Sequence, residues 1–285
     1  VPAKHTPFSE THIAQLLCGL AKCVVKAWSA VKHGAWTVLV LYELVTGTRN
    51  DEVAGVDTRL QRDSFTPVIG GVCVEPTTEN WQRLTDGDYI NGKSAPSKCD
   101  RTNAHWGSKD MWFKLDSSNP RNFAHAWKLW ELQHPCEVSR RGSTPAFSPS
   151  ADEAPFTTRG VHADIKALLT HACDVSAHEH TFHDFRATLA TRLLQDGEAD
   201  AVIQALLRWK TPESIRTYAE MSPSQYADRV ERATLVRAPM QAPYRDIPEI
   251  EPSSACSRID ATLERLQHAV QPSKGGGETT AAPTK

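Results

Sequence analysis

The sequence predicts an α+β fold, mainly helical with a small antiparallel β-sheet, and three observations predict it. Apolar residues recur at helical spacing in the first 50 residues or so and again after about residue 120. Between Asp57 and Leu115 the pattern changes to short runs rich in Val, Ile, Trp, Phe and Thr, punctuated by Asp-Gly and Asn-Gly. After Ala238 the patterning fades, and 6 of the 18 prolines fall between Pro239 and Pro283. At 285 residues, 40% hydrophobic and 23% charged, the chain has the composition of a globular protein rather than of a disordered or collagen-like one. Its longest uncharged apolar run, Ala35 to Tyr42, is too short to cross a membrane.

Each element follows from local pattern. Ile13, Leu16, Leu17, Leu20 and Val24 place a helical stripe on Ser9 to about Val31. Gly34 is read as a break, and Ala35 to Val45 as a second, nearly all-apolar helix that must be buried. Thr46-Gly47-Thr48 ends it, and Arg49 to Val53 makes a polar turn or helix start. The sheet occupies 57–115, with Asp86-Gly87 and Asn91-Gly92 as turn signals. Asn122 to Leu132 is helical, and Pro135 to Gly160 is a connection rich in Ser, Pro and Arg. Helices follow over Val161 to Ala172, His183 to Gln195 (with Gly197 beyond its end), Ala199 to Trp209, from Thr211-Pro212-Glu213, and over Ser222 to Thr234. Residues 1–238 are expected to form one domain, and 239–285 a flexible tail with a candidate docking helix over 259–270.

Seven scattered cysteines with no C-x-x-C pair predict reduced thiols in an intracellular protein rather than a disulfide framework or a zinc site. The chain opens with Val1 and no cationic, apolar leader, which reads as a piece of a longer protein without a secretory signal. Net charge is −2, so composition alone gives no sign of a polyanionic partner. Between Ile90 and Trp130, however, seven basic residues stand against three acidic ones, with Trp106, Trp112 and Phe113 interleaved. That stretch includes Lys93, Arg101, Lys109 and Lys114 and supplies a local surface suited to nucleic acid.

One ordered set of residues carries chemistry. His183-Asp184-Phe185-Arg186 is followed by Trp209 after 23 residues and Tyr218 after 9 more. Upstream stands Tyr42-Glu-Leu-Val-Thr-Gly-Thr-Arg49-Asn-Asp-Glu52. This series resembles the tyrosine recombinases, the phage-integrase family, whose pattern is H-x-x-R, then His or Trp, then a nucleophilic tyrosine nine residues on. From this chain's composition the downstream spacing alone would arise by accident about 1 time in 1,000. Pro96-Ser97-Lys98-Cys99-Asp100 looks like the family's S-K-x-D hairpin segment. Nothing before Ser9 resembles the family's N-terminal helical clamp, and 116–159 matches it loosely.

The resemblance implies metal-free DNA breakage and rejoining through a covalent 3′-phosphotyrosine, with no cofactor, because the phosphotyrosine conserves the energy of the phosphodiester. Tyr218 is then the nucleophile. Arg49 and Arg186 clamp the nonbridging oxygens, since guanidinium stays charged and donates paired hydrogen bonds. His183 donates to phosphate or accepts the tyrosine proton. Trp209 offers one indole N–H and no acceptor, so it can donate but not shuttle a proton. Lys98 is the choice for the acid at the departing 5′ oxygen, with Lys93, Lys109 and Lys114 as rivals, and Glu52 orients an arginine or histidine. The resemblance further implies double-stranded DNA as substrate, a homotetramer on two duplexes, accessory bending or directionality proteins, and no membrane. It places the protein with DNA in a bacterial cytoplasm or a nucleus, and has the tail reach a neighbouring protomer. Two alternatives share the residues: a type IB topoisomerase-like enzyme, and a non-cleaving DNA-binding protein descended from one. Singly, each residue has a structural explanation, as an ion-pair partner, a core aromatic or a solvated lysine. His178-Glu179-His180-x-x-His183 fits no zinc spacing, and no metal is expected there.

Overall fold

The described part of the computed structural model comprises residues 6–56, 59–95, 110–173 and 180–209. All of them belong to one unit, Val1–Tyr226; the second unit, Ala227–Lys285, lies outside the described residues, as do the expected helices from 211 and 222 and the docking helix.

Helix α2 (Ala30–Thr46) is the spine. Its apolar run is buried nearly all round, as a helix without a polar face must be. Helix α1 (Glu10–Ala21) packs against it and against α6 (Thr158–Ala172), while α5 (Phe123–Gln133) and α7 (Asp184–Asp196) cover its other flanks. Ser9, Ser29, Thr77, Asn122 and Thr157 each accept a backbone N–H from the first turn of the helix they open, which fixes where those helices begin. The aromatic core gathers on Tyr42, whose ring centroid lies 5.1 Å from Phe123, 5.3 Å from Phe147 and 5.8 Å from Phe65.

The antiparallel sheet is present, with strand order β2-β1-β3-β4: β1 (Phe65–Ile69), β2 (Val72–Cys73), β3 (Tyr89–Lys93) and β4 (Asp110–Lys114). β1 and β2 are joined by Gly70-Gly71; β3 pairs with β4 in the register Ile90↔Phe113 and Lys93↔Asp110.

Five local expectations need correction. The first helix ends at Ala21 rather than near Val31, and the chain turns before Ser29 caps α2. Gly34 lies inside α2 and breaks nothing; a Cβ there would meet the Trp130 ring at 3.3 Å, so its small size admits α5. Asn91-Gly92 lies within β3 and makes no turn, because the rings of Phe113 and Phe65 press on Gly92 where a side chain would stand. The strand-rich region also holds a short helix, α4 (Thr78–Arg83), and the helix expected from Val161 begins three residues earlier at Thr158.

A buried charge cluster fastens the sheet to α5. Arg141 donates from Nη1 and Nη2 to the two oxygens of Glu131, both at 2.9 Å, and Arg62 Nη1 reaches Glu131 at 3.2 Å. All three side chains are sealed from solvent. Arg62 Nη1 also donates to the His134 carbonyl and Arg141 Nη2 to the Arg62 carbonyl, so the triad ties three otherwise separate loops together.

Candidate active site

The site is assembled where the C-terminus of α2, the N-terminus of α7 and the end of α8 (Asp200–Leu206) meet. Helix α2 stops at Gly47, which takes the left-handed conformation at φ 53° and returns its N–H to the Glu43 carbonyl. Glycine is needed there twice over: for that φ, and because a Cβ would stand 3.2 Å from the Arg186 backbone. The tight turn presents Thr48, whose hydroxyl donates to the buried Glu43 carboxylate, and then Arg49. Arg49 sits at the N-cap of the short helix α3 (Asn50–Ala54), with its side chain 26% exposed.

Glu52, one turn into α3, has no solvent exposure. It accepts a hydrogen bond from Arg208 through Oε2, while its Oε1 lies 3.8 Å from Arg49 Nη1 and has no hydrogen-bond partner. Arg49 and Glu52 are thus close enough to attract but not hydrogen-bonded.

Arg186 lies in the first turn of α7, its N–H donating to His183, the residue at that helix's N-cap. Its guanidinium is 1% exposed and pinned from two sides: Nη1 donates to the Gly47 carbonyl at 2.6 Å and Nη2 to the Leu207 carbonyl. The Trp209 ring faces it with 5.3 Å between Cζ and the ring centroid, a cation–π distance. Trp209 is itself seated in a small second core with Ala190, Ile203 and Leu207, so the packing of α7 on α8 sets where the indole stands.

Charge in this enclosure is unbalanced. Burial, then the repulsion of Arg49, pulls the Arg186 pKa down to about 9, which still leaves it protonated at neutral pH. Burial pushes the Glu43 carboxyl well above the ordinary carboxylate range and favours its protonated form, against the hydrogen bond from Thr48. The guanidiniums of Arg49, Arg186 and Arg208 thus lie around the single carboxylate of Glu52, an excess of positive charge. Two of the five N–H groups of Arg186 are held by these carbonyls. Tyr42, close by in sequence, is no rival nucleophile: burial raises its phenol far above the usual range and it is walled in by the aromatic core.

Of the residues expected from sequence, Arg49, Glu52, Arg186 and Trp209 come together here, and His183 stands half-buried at the head of the same helix as Arg186. Lys93 and Lys114 are exposed on β3 and β4. Tyr218, Lys98, Arg101 and Lys109 lie outside the described residues, as do His178 and Glu179. Among the described residues no group of His, Cys, Asp and Glu could hold a metal ion. Sequence reasoning missed Arg208, Glu43 and Thr48. Glu43 carried a signal, a carboxylate inside an otherwise apolar helix, which must find a partner. Arg208 carried none, because nothing in an Arg-Trp pair announces a left-handed backbone (φ 52°).

Residues 125–225 match the family model described as the phage integrase family, a span that holds His183, Arg186, Trp209 and Tyr218. Among solved structures the chain is similar to XerA recombinase, at TM-score 0.51 and 16% identity over 80% of this chain and 63% of that one. It is also similar to XerH site-specific recombinase, solved in a post-cleavage complex with a palindromic difH substrate, at TM-score 0.52 and 14% identity over 81% of this chain and 54% of that one. The chain thus spans less than two thirds of either recombinase. No curated protein sequence matches it. Residues 125–225 thus carry the match to the phage integrase family, and the fold that holds them is the one seen in the XerA and XerH recombinases.

Proposed function

We propose that this chain is the catalytic portion of a site-specific DNA recombinase or integrase that breaks and rejoins strands through a 3′-phosphotyrosine. The observation that carries the proposal is the convergence of Arg49 and Arg186 beside Trp209, an under-neutralised cationic enclosure of phosphate-binding chemistry. In this reading Tyr218 attacks the scissile phosphorus and the 5′ oxygen departs as a hydroxyl, which on a partner strand later reverses the step. Arg49 and Arg186 stabilise the negative charge on the nonbridging oxygens. Trp209 contributes its indole N–H, and His183 takes the phenol proton or donates to phosphate. Lys98 protonates the departing oxygen. The covalent intermediate conserves the bond energy, so the sequence of steps needs no metal or nucleotide.

Lys93 and Lys114, exposed on neighbouring strands, would meet the DNA backbone together with Arg101 and Lys109. Strand exchange between two duplexes calls for four copies of the chain, with the segment after 238 contacting a neighbour. An intracellular location with DNA follows from the substrate; no helix among the described residues is long and apolar enough to cross a membrane. The test is a DNA duplex nicked near the scissile phosphate, so that the short leaving strand diffuses away. A denaturant-resistant protein–DNA adduct that disappears in Tyr218→Phe supports the enzyme. Electrophoretic binding without any adduct would leave a DNA-binding module instead.

A further inference from the structure

Arg208 is a non-glycine residue at φ 52°, a conformation that costs an L-residue with a side chain about 1–2 kcal/mol. The strain is held by what its side chain does. Nη2 donates to Glu52, Nη1 donates to the Ala95 carbonyl at 3.0 Å, and the side chain is 9% exposed. It therefore bridges α3, whose cap is Arg49, and the last described residue before the connection that contains Lys98. Its backbone lies between Leu207, whose carbonyl holds Arg186, and Trp209, which faces that guanidinium.

We propose that Arg208 is a positioning residue for strand cleavage, acting through Glu52 on Arg49; the inference rests on the recombinase reading above. Glu52 is wholly buried, and a buried carboxylate must be neutralised. Arg208 supplies that charge from inside the protein. Arg49 is consequently left 3.8 Å away, attracted but not captured, and in this reading its donors go to a phosphate. Remove Arg208, and the Glu52 carboxylate draws Arg49 inward to complete an ion pair, withdrawing the clamp from the substrate. The same bridge fixes the Ala95 carbonyl, and with it the base of the segment that carries Lys98.

Arg208→Gly is the informative variant, because glycine takes φ 52° without strain and the substitution removes only the side chain. Single-turnover adduct formation on the nicked duplex should slow by about 10–100-fold, while DNA affinity by gel shift stays within about twofold of the parent. Adding Glu52→Gln to Arg208→Gly should recover much of the lost rate, since the neutral amide no longer competes for Arg49. A purely structural role would give the opposite ordering, the double variant being slower than the single. Arg208→Lys, which keeps the charge but cannot bridge both acceptors, should fall between the parent and Arg208→Gly. A parent-like rate in Arg208→Gly, or no recovery in the double variant, overturns the inference. Absence of an adduct from the parent protein overturns the recombinase reading itself, and the two failures are thereby distinct.

Discussion

Replacing Gly47 by alanine tests the architecture of the site against a control in the same protein. Gly47 and Gly197 both end helices in the left-handed region, at φ 53° and 85°. Alanine at either position pays the left-handed penalty of about 1–2 kcal/mol. At 197 nothing lies within 4 Å of the new Cβ, and the cost ends there. At 47 the Cβ meets Leu207 Cδ2 at 3.1 Å and Arg186 Cα at 3.2 Å. The leucine tip can yield, but the Arg186 backbone moves only if α7 moves, which adds an overpacking cost of about 1–2 kcal/mol. Gly47→Ala should therefore lose about 2–4 kcal/mol against about 1–2 for Gly197→Ala, or about 5–15 °C in Tm against about 2–8 °C. Displacing the Gly47 carbonyl also frees Arg186 Nη1, so cleavage by the folded Gly47→Ala protein should drop by about 10–100-fold while Gly197→Ala cleaves normally. Thermal melts with single-turnover cleavage below both melting temperatures read the two effects separately. Equal activity in the two variants would refute the claim that this turn seats the arginine.

Other expectations follow from the same contacts. Glu131→Gln leaves Arg62 and Arg141 uncompensated in the core and should cost about 3–5 kcal/mol by denaturant titration, enough to abolish soluble expression in a marginal background. Because Arg186 titrates at about 9 in the DNA-free protein, the second-order rate constant for cleavage should fall as pH rises through that value. The same depressed pKa gives stability the opposite sign: the unfolded chain holds the Arg186 proton to higher pH, so this residue's penalty on folding shrinks as pH rises above about 9. A cleavage profile flat to pH 10 would contradict the assignment. Trp209→Phe preserves a ring against Arg186 but removes the N–H, and should slow cleavage by about 100-fold, with Trp209→His recovering part of the loss. Equal rates for the phenylalanine and histidine variants would mean that position 209 contributes packing alone.

Much of this site was legible in the sequence because its chemistry is written in residue types that packing does not otherwise demand. Arg186 and Trp209 are separated by 23 residues and a helix, yet meet at 5.3 Å, and the H-x-x-R spacing anticipates that. The helices were legible where an apolar stripe met a hydroxyl or amide cap, as at Ser9 and Asn122. What failed was the meaning of glycine. Gly34 and Gly92 read as interruptions, although their role is to let Trp130 and Phe113 approach a backbone, and that depends on partners distant in sequence. Arg208 failed for a related reason: its conformation is imposed by Glu52 and Ala95, neither of which is its neighbour in the chain. Charge compensation of this kind is a property of the folded enclosure, and a single sequence shows only the charges.

The most direct measurement is the chemical identity of the bond between protein and DNA. Adduct trapped on the nicked duplex should be digested with protease and nuclease and mapped by mass spectrometry. The account predicts a nucleotide 3′-phosphate esterified to the phenol of Tyr218, in a peptide absent when Arg186 is replaced by alanine. A phosphoryl group on any other side chain, or an adduct that forms undiminished without Arg186, would contradict it.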